Sequence, residues 1–535
     1  MLRSLGLFAV VTGAIVLVWY GLGRVASMPP SPLGPGEKLT CISYAPFHGD
    51  QAPFTWDLRI SDRQIAADLR RLSALTSCVR TYSAKGDQGR VAELSPAFGL
   101  EVLQGIWLGR DRADNRREVE AALELARKHP GTIKALIVGN ETLLRGELPS
   151  DEIKVLLDEV RERSGLPVTY ADVWEFWLKA PELAAATDFV TIHILPYWED
   201  DPVAERDAVA HVREIRKKLE AEFSGKEILI GEVGWPSQGR MRDGALPSPV
   251  NQARFLSGVV SLAKAENWKV NLIEAFDQPW KRALEGTVGG YWGLYDDAQL
   301  EPKFQFGEPV SDHPDWALKA GLGVLAALSA FAAFWAGSRT APPGSRPWRR
   351  DLAAGGIALG AGLLFGLAAV NLPMEGEIAN DRLRGVAMLV LALVVPMVAS
   401  YALGRGDRLP GFAPALDPSR WRRSKLVEVV TAALLAATMV ATIHVALGLV
   451  FDPRYKDFPV AALLGPVVAL AIVALCGNQE LSRPGNAEHA AAAVLTGSAV
   501  FITLNEGIAN WQALAFAGLL LLLALTALRA KAAPD

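Results

Sequence analysis

The sequence predicts two unlike folds in one chain: an α/β domain built as a (β/α)8 TIM barrel, followed by an all-α polytopic transmembrane domain. Three observations predict this. Residues 38 to about 305 have ordinary globular composition with polar turns, whereas residues 320 to 528 are runs of Ala, Leu, Val and Gly broken by short charged stretches. Within the first region, short β-rich runs alternate with longer amphipathic ones eight times. Half of the 535 residues are hydrophobic, too many for a wholly soluble chain of this length.

At the start, Met1-Leu-Arg-Ser4 precedes an uncharged run from Leu5 to Leu22, long enough to span hydrocarbon and closed by Arg24. No clear small-x-small cleavage site follows, so residues 1–24 read as an uncleaved signal anchor. The Pro29-Pro-Ser-Pro-Leu-Gly-Pro-Gly36 stretch makes residues 25–37 a stiff linker. The expected strands are Thr40 to Ala45, Cys78 to Tyr82, Glu101 to Trp107, Ile133 to Val138, Pro167 to Ala171, Phe189 to Ile194, Ile228 to Val233 and Val270 to Phe276. Between them lie amphipathic stretches: Ser61 to Leu75, opened by Ser61 with Gln64 as a capping box, Asn115 to Lys128, and Asp151 to Arg163 behind Ser150. Eight alternations in about 270 residues match a closed barrel in count and length. An open doubly wound sheet is the alternative, but no Gly-rich phosphate loop follows the first strand.

Residues 317–530 read as a membrane domain of about seven helices, from the apolar runs Ala320 to Gly337, Leu352 to Val370, Val386 to Leu403, Val429 to Val450, Val460 to Cys476, Ala490 to Leu504 and Ala513 to Leu528. Arg339, Arg346, Arg349 and Arg350 share one loop; Arg405, Arg408, Arg420, Arg422, Arg423 and Lys425 share the next loop on the same side. The positive-inside rule makes that side cytoplasmic. Met1 and the Arg529, Lys531 tail then also fall inside, and residues 24 to 319 outside. His444 is among the few ionisable residues deep in a span, with Glu428, His489 and Glu506 at span ends; a proton or ion path would need more, so plain anchoring is expected.

The net charge of -4 averages two unlike halves, and no basic cluster in the outer domain suggests nucleic acid. Three cysteines are too few for a disulfide scaffold. Cys41 and Cys78 lie in the first two strands, where a bridge requires an oxidising compartment. Buried free thiols are the commoner outcome for adjacent parallel strands. Cys476 ends a membrane span and is expected to be inert.

Polar and aromatic residues collect at the carboxyl ends of the strands, where a barrel carries its active site: Tyr44, Arg80, Tyr82, Trp107, Asn140, Glu141, Tyr197, Trp198, Glu232, Trp235, Asp277 and Trp280. Glu141 ends the fourth strand and Glu232 the seventh, so two carboxylates 91 positions apart should face each other across the barrel mouth. Such a pair suits glycoside cleavage or transfer, provided its two environments hold one group protonated and the other ionised. A separation of about 5 to 5.5 Å would imply retention through a covalent glycosyl-enzyme.

The segment Ile228-Leu-Ile-Gly-Glu-Val-Gly-Trp-Pro-Ser-Gln-Gly239 resembles the nucleophile signature of glycoside hydrolase family 17, the β-1,3-glucanase and β-1,3-glucanosyltransferase family, and Val138-Gly-Asn-Glu141 resembles its acid/base motif. Supporting matches are Ile42-Ser-Tyr-Ala-Pro-Phe47, Val79-Arg-Thr-Tyr82, Glu274-Ala-Phe-Asp-Gln-Pro-Trp-Lys281 and Tyr291-Trp-Gly-Leu294, so that the resemblance covers residues 38–305. It implies Glu232 as nucleophile and Glu141 as acid/base, with Asn140 on the sugar 2-hydroxyl, Arg80 and Tyr197 orienting the nucleophile, and Trp235 and Trp280 stacking on sugar faces. Tyr44, Tyr82 and Asp277 complete the expected substrate-binding set. Two positions depart from the pattern: Leu195 stands where many plant members carry a second Tyr, and Gln278 where a Glu is frequent. His193 reads as a buried, hydrogen-bonded histidine. No cluster has metal-ligand spacing, and the retaining mechanism needs no cofactor.

The resemblance implies a β-glucan substrate, while water or a sugar hydroxyl can equally accept the glycosyl group. Held at a membrane by eight spans, the catalyst is expected to be a glucanosyltransferase rather than an endo-β-1,3-glucanase. Membrane-linked bacterial members of the family resemble enzymes that remodel periplasmic glucan, some forming β-1,6 links. The expected location is therefore the bacterial inner membrane with the barrel in the periplasm. Expected partners are β-glucan and lipid, and a role in glucan export or in docking a membrane glucan synthase is the remaining alternative.

Overall fold

The computed structural model describes residues 2–341, 348–375, 379–416, 425–476 and 484–530. They form two compact units, one spanning Ala26–Val310 and the other combining Met1–Val25 with Ser311–Asp535.

In the first unit eight parallel strands close on themselves: β1 Cys41–Ser43, β2 Cys78–Arg80, β3 Glu101–Ile106, β4 Ile133–Asn140, β5 Val168–Val173, β6 Val190–His193, β7 Ile228–Val233 and β8 Lys269–Leu272. Each pairs with the next, and β8 returns to β1 through Cys41↔Asn271 and Ile42↔Leu272. Strands covered on both faces read as near-continuous apolar runs. In β7 all six residues, Ile-Leu-Ile-Gly-Glu-Val, are buried. Every expected strand overlaps an observed one. β1, β2 and β8 end earlier than expected because the chain leaves the ladder there to build the mouth, and β4 runs on through Gly139 and Asn140 across a register shift against β5.

The outer helices follow their caps. Asp62–Leu75 begins at Ser61, whose hydroxyl accepts the Gln64 N–H at 3.2 Å, and it buries Ile65, Asp68, Leu69 and Leu72, one stripe at i, i+3 and i+4 spacing. The reciprocal half of the expected capping box is replaced, since the Gln64 amide donates to Pro46 and Gln51 instead. Arg112–Lys128 starts a turn before the expected Asn115, capped by Asp111. The helix expected behind Ser150 includes it, running Ser150–Ser164 from Pro149 to a left-handed Gly165. The Pro/Gly segment expected as a linker is tied to the barrel: Ala26 bridges Val310, and Lys264 donates to the Pro32 carbonyl and pairs with Glu37 at 2.6 Å.

The second unit is helical: Leu2–Leu22, Trp316–Arg339, Trp348–Glu375, Ala379–Arg405, Leu426–Phe451, Val460–Cys476, Asn486–Glu506 and Trp511–Arg529, with a short turn at Ala413–Leu416. Among the described residues seven helices are long and apolar enough to cross a membrane, and Val460–Cys476 is a shorter apolar helix of 17 residues. All eight apolar runs of the sequence are therefore helical. Small residues let these helices approach: a Cβ on Gly323 would lie 2.2 Å from the Gly362 carbonyl oxygen, and one on Gly366 2.0 Å from that of Lys319. Trp19 of the first helix donates its Nε1 to the Leu363 carbonyl at 2.8 Å. Arg346, Arg420, Arg422, Arg423 and Lys531, used above for orientation, lie outside the described residues.

Cys41 and Cys78 form a disulfide, which corrects the expectation of free thiols. Its origin is the register: Ile42 pairs with Val79, so the preceding cysteines are opposite each other with Cα atoms 4.5 Å apart, inside the range a bridge requires. Cys476 is free and exposed. Maleimide labelling of the full chain, denatured without reductant, is expected to add one label, rising to three after reduction; three labels before reduction would show the bridge is not formed. The bridge closes 37 positions, so reduction should cost about 2–4 kcal/mol and lower the melting temperature of the barrel.

Candidate active site

The end of β4 is shaped by backbone constraints. Gly139 has φ +91°, and a Cβ there would lie 2.9 Å from Thr142 Oγ1 and 3.1 Å from the Tyr170 ring. Glu141, at φ +53°, is a non-glycine residue in the left-handed region, a strain of order 1–2 kcal/mol that persists only where the surroundings enforce it. They do so here: its N–H donates to the Ala171 carbonyl at 2.8 Å, and Asp172 accepts the Leu143 N–H at 3.1 Å and the Tyr170 hydroxyl. Arg145 donates to the Asn140 carbonyl and stacks 4.3 Å over Trp107. The turn directs the Glu141 carboxylate to the mouth, with its side chain 21% exposed.

Glu232, three strands on, is only 5% exposed. Its Oε1 accepts Arg80 Nη1 at 2.5 Å and the Tyr82 hydroxyl at 3.0 Å. Arg80 is itself buried, lies 4.1 Å over the Tyr82 ring, and donates its Nη2 to Asn140 Oδ1. Fully buried His193 stands between the two glutamates, its Nδ1 3.0 Å from Glu141 Oε1 and 3.8 Å from Glu232 Oε2. It arrives there because His193 and Glu232 are register partners on β6 and β7. One ligand-capable atom from each of Glu141, His193 and Glu232 falls within 4.8 Å of the other two. An oxygen of Glu141 and one of Glu232 thus lie within 4.8 Å of each other, closer than the roughly 6.5–9.5 Å that leaves room for a water between an inverting pair.

Burial pushes the Glu232 carboxyl up, but His193, Arg80 and Lys281 outweigh it and hold the group below the usual carboxylate range. Burial pulls His193 down, while the charges of Glu232 and Glu141 bring it above its ordinary value. The same trio has the donor types of a metal site, which the sequence spacing did not suggest. Glu232 would offer such an ion only Oε2, since Oε1 already accepts from a guanidinium and a phenol.

The structure brings together Glu141, Glu232, Asn140, Arg80 and Tyr82 as expected, and separates other residues from them. Tyr44 is buried with its hydroxyl on Asp68 at 2.8 Å. Tyr197 donates to the Arg240 carbonyl at 2.9 Å, and the hydroxyl on Glu232 Oε1 is that of Tyr82. Trp235 is fully buried against Phe255 with Nε1 on the Leu246 carbonyl, so it presents no face to a sugar. Asp277 is buried in an ion pair with Lys303 at 2.6 Å. Each of these four leaves its strand end pointing into packing, which strand position does not reveal. Trp280 stays half-buried at the rim. Residues missed by sequence reasoning are Lys281 and Glu274, a buried pair at 2.8 Å. Glu285, close enough to feel Glu141 and Glu232, is pushed up by burial to about 7.

Residues 41–293 match the family model described as the BtgE/BtgC glycoside hydrolase domain. Fold, site and match together make the barrel an enzyme domain of the glycoside hydrolase class. The chain is 26% identical over 254 residues to a glucan 1,3-beta-glucosidase of Saccharomyces cerevisiae, covering 43% of this chain and 80% of that one. It is 27% identical over 259 residues to a glucan 1,3-beta-glucosidase of Arthroderma benhamiae, covering 44% and 82%. Among solved structures, the glycoside hydrolase family 17 beta-1,3-glucanosyltransferase of Rhizomucor miehei aligns with a TM-score of 0.43 and 24% identity over 48% of this chain and 93% of that one.

Arg80→Met should expose how much of the site rests on the guanidinium. Because the native Glu232 pKa is depressed, its contribution to stability is present above the unfolded value near 4 and is lost as pH falls through the native value. The variant is expected to lose about 3 kcal/mol at pH 7, about 6–12 °C in the barrel's calorimetric transition. The deficit should shrink toward pH 4, because without the guanidinium the buried Glu232 carboxyl takes up a proton in the variant while the wild-type group stays ionised; a deficit unchanged between pH 7 and pH 4 would contradict the pairing.

Proposed function

We propose that this chain is a retaining β-1,3-glucan glucanosyltransferase, with Glu232 as nucleophile and Glu141 as acid/base. The observation that carries this reading is the approach of the two glutamates to within 4.8 Å, one nearly buried and held ionised, the other partly exposed at the mouth. With Oε1 engaged by Arg80 and Tyr82, Oε2, 3.8 Å from His193 Nδ1, is the oxygen of Glu232 that attacks the anomeric carbon. Glu141 gives its proton to the departing 3-oxygen as that bond breaks, leaving an ester between the sugar and Glu232. Glu141, now a carboxylate, takes the proton of an incoming hydroxyl, whose oxygen forms the new anomeric bond and frees Glu232. Asn140, its Oδ1 fixed by Arg80, offers its Nδ2 to the sugar 2-hydroxyl.

Transfer to a sugar, including the formation of β-1,6 branches, is favoured by the anchoring that the apolar helices support, since a purely degradative enzyme gains from release. The Cys41–Cys78 disulfide supports an oxidising compartment, and with the arginine distribution it favours a barrel on the periplasmic side of a bacterial inner membrane. The helical unit is then an anchor, with docking to a glucan synthase as a further role. The names of the glucosidase relatives favour a second reading, hydrolysis by water, of which the endo-β-1,3-glucanase expected from the sequence is one form.

Mass spectrometry and linkage NMR of products from laminari-oligosaccharides separate these. The wild type is expected to yield products longer than the substrate, and Glu232→Gln none. Glu141→Gln should slow turnover by about 10²–10⁴-fold. Exclusively shorter products would make the enzyme a hydrolase, and products unaffected by Glu232→Gln would sink the catalytic assignment.

A further inference from the structure

The loop between β1 and the Asp62–Leu75 helix carries features that the two-glutamate chemistry does not use. At its tip Phe54 and Trp56 are 73% and 90% exposed. At its stem His48 is clamped between carboxylates, Nε2 2.9 Å from Asp68 Oδ2 and Nδ1 3.0 Å from Asp297 Oδ1. Burial opposes a charge there, but the bonds to Asp297 and Asp68 outweigh it and raise His48 to about 9, so an imidazolium ties the loop to two other segments at neutral pH. Tyr44 adds a bond to Asp68, the Gly49 N–H a bond to Asp297 at 2.8 Å, and the His48 N–H a bond to Gln51 Oε1 at 2.9 Å. A stem so fixed with a tip so apolar is a presented surface rather than a loose turn.

A second observation extends that surface toward the catalytic pair. Trp280 follows β8, the neighbour of β1 in the closed barrel, and its ring lies 5.7 Å from Phe54 and 6.3 Å from Phe47, edge to face in both cases. Its Nε1 donates to Gln278 Oε1 at 2.7 Å, while the Gln278 amide nitrogen reaches the Ala45 and Phe47 carbonyls at 3.4 and 3.3 Å. A carboxylate at 278 could not donate to those carbonyls, so the glutamine that departs from the family pattern joins the β8 loop to the β1 loop and sets the plane of Trp280. The next residue, Lys281, pairs with Glu274 and adds its charge to those acting on Glu232.

We propose that Trp280, Phe54 and Trp56 form an aromatic strip that binds the pyranose faces of a glucan chain beyond the sugars at the reacting bond, a subsite that reads chain length. The axial C–H faces of β-linked glucose are apolar and flat, which suits rigid aromatic rings that lose little conformational freedom on binding. The proposal rests on the β-glucan reading given above. A lipid surface is the other chemistry that exposed Phe and Trp side chains serve. Continuity with Trp280 and Lys281 on the active face of the barrel favours the glucan.

The test is steady-state kinetics of the full chain in detergent, wild type against Phe54→Ala, Trp56→Ala and the double variant, on a three-sugar and a seven-sugar laminari-oligosaccharide. The exposed positions leave the fold unaffected. For the long substrate the double variant should raise KM roughly tenfold with kcat unchanged, and for the short one both constants should match the wild type. Equal effects at both lengths, or none, would overturn the subsite while leaving the glucan reading intact. A wild type inactive on both would overturn that reading and the subsite with it. Length-independent kinetics together with lost quenching of tryptophan by brominated lipid in nanodiscs would make the tip a membrane contact and overturn the proposal.

Discussion

The site depends on a carboxylate buried to 5% exposure yet kept ionised. Moving such a group out of water costs several kcal/mol, and only a close cation with further hydrogen bonds offsets it. Arg80 supplies the cation, Tyr82 a hydroxyl, and His193 and Lys281 add positive charge. Several features follow from that requirement. Asn140 is fixed because Arg80 has a second nitrogen to satisfy, and Tyr82 is fixed because its ring lies under the guanidinium. The closed barrel is what makes this possible, since Arg80 on β2, Asn140 on β4, His193 on β6 and Glu232 on β7 meet only when the sheet closes.

Much of this was legible in the sequence, and the limits have physical causes. A parallel strand buried on both faces writes a short apolar run, so all eight strands and the residues at their ends could be read. Glu141 and Glu232 stand out because a carboxylate after such a run has no packing role. Which of the neighbouring polar residues turn toward the mouth is decided by loops and by register, and neither leaves a periodic signal. Tyr44, Tyr197, Trp235 and Asp277 each end in a packed or bonded position a few residues from residues that do reach the site. His193 was read as a buried, bonded histidine, which it is; that its partner is Glu141 depends on the β6–β7 register. The disulfide was missed for the same reason, since only the pairing of Ile42 with Val79 sets Cys41 opposite Cys78.

In the helical unit, composition was enough to find the eight long helices among the described residues, because apolar runs of that length exceed what a strand uses. Composition cannot reveal how such helices meet. The close approaches at Gly323 and Gly366 and the bond from Trp19 to Leu363 come from side-chain size and position on each helix face. They pack the N-terminal helix into one body with the helices that follow the barrel.

The assignment of the two glutamates is tested most directly by azide rescue of Glu141→Ala and Glu232→Ala on an aryl β-laminaribioside. With Glu232 as nucleophile and Glu141 as acid/base, azide should restore turnover in Glu141→Ala and give the β-glycosyl azide, by attack on the glycosyl-enzyme. In Glu232→Ala it should give the α-glycosyl azide, by direct attack from the face the carboxylate vacates. The reverse pairing of anomers, or no azide product from either variant, would contradict it.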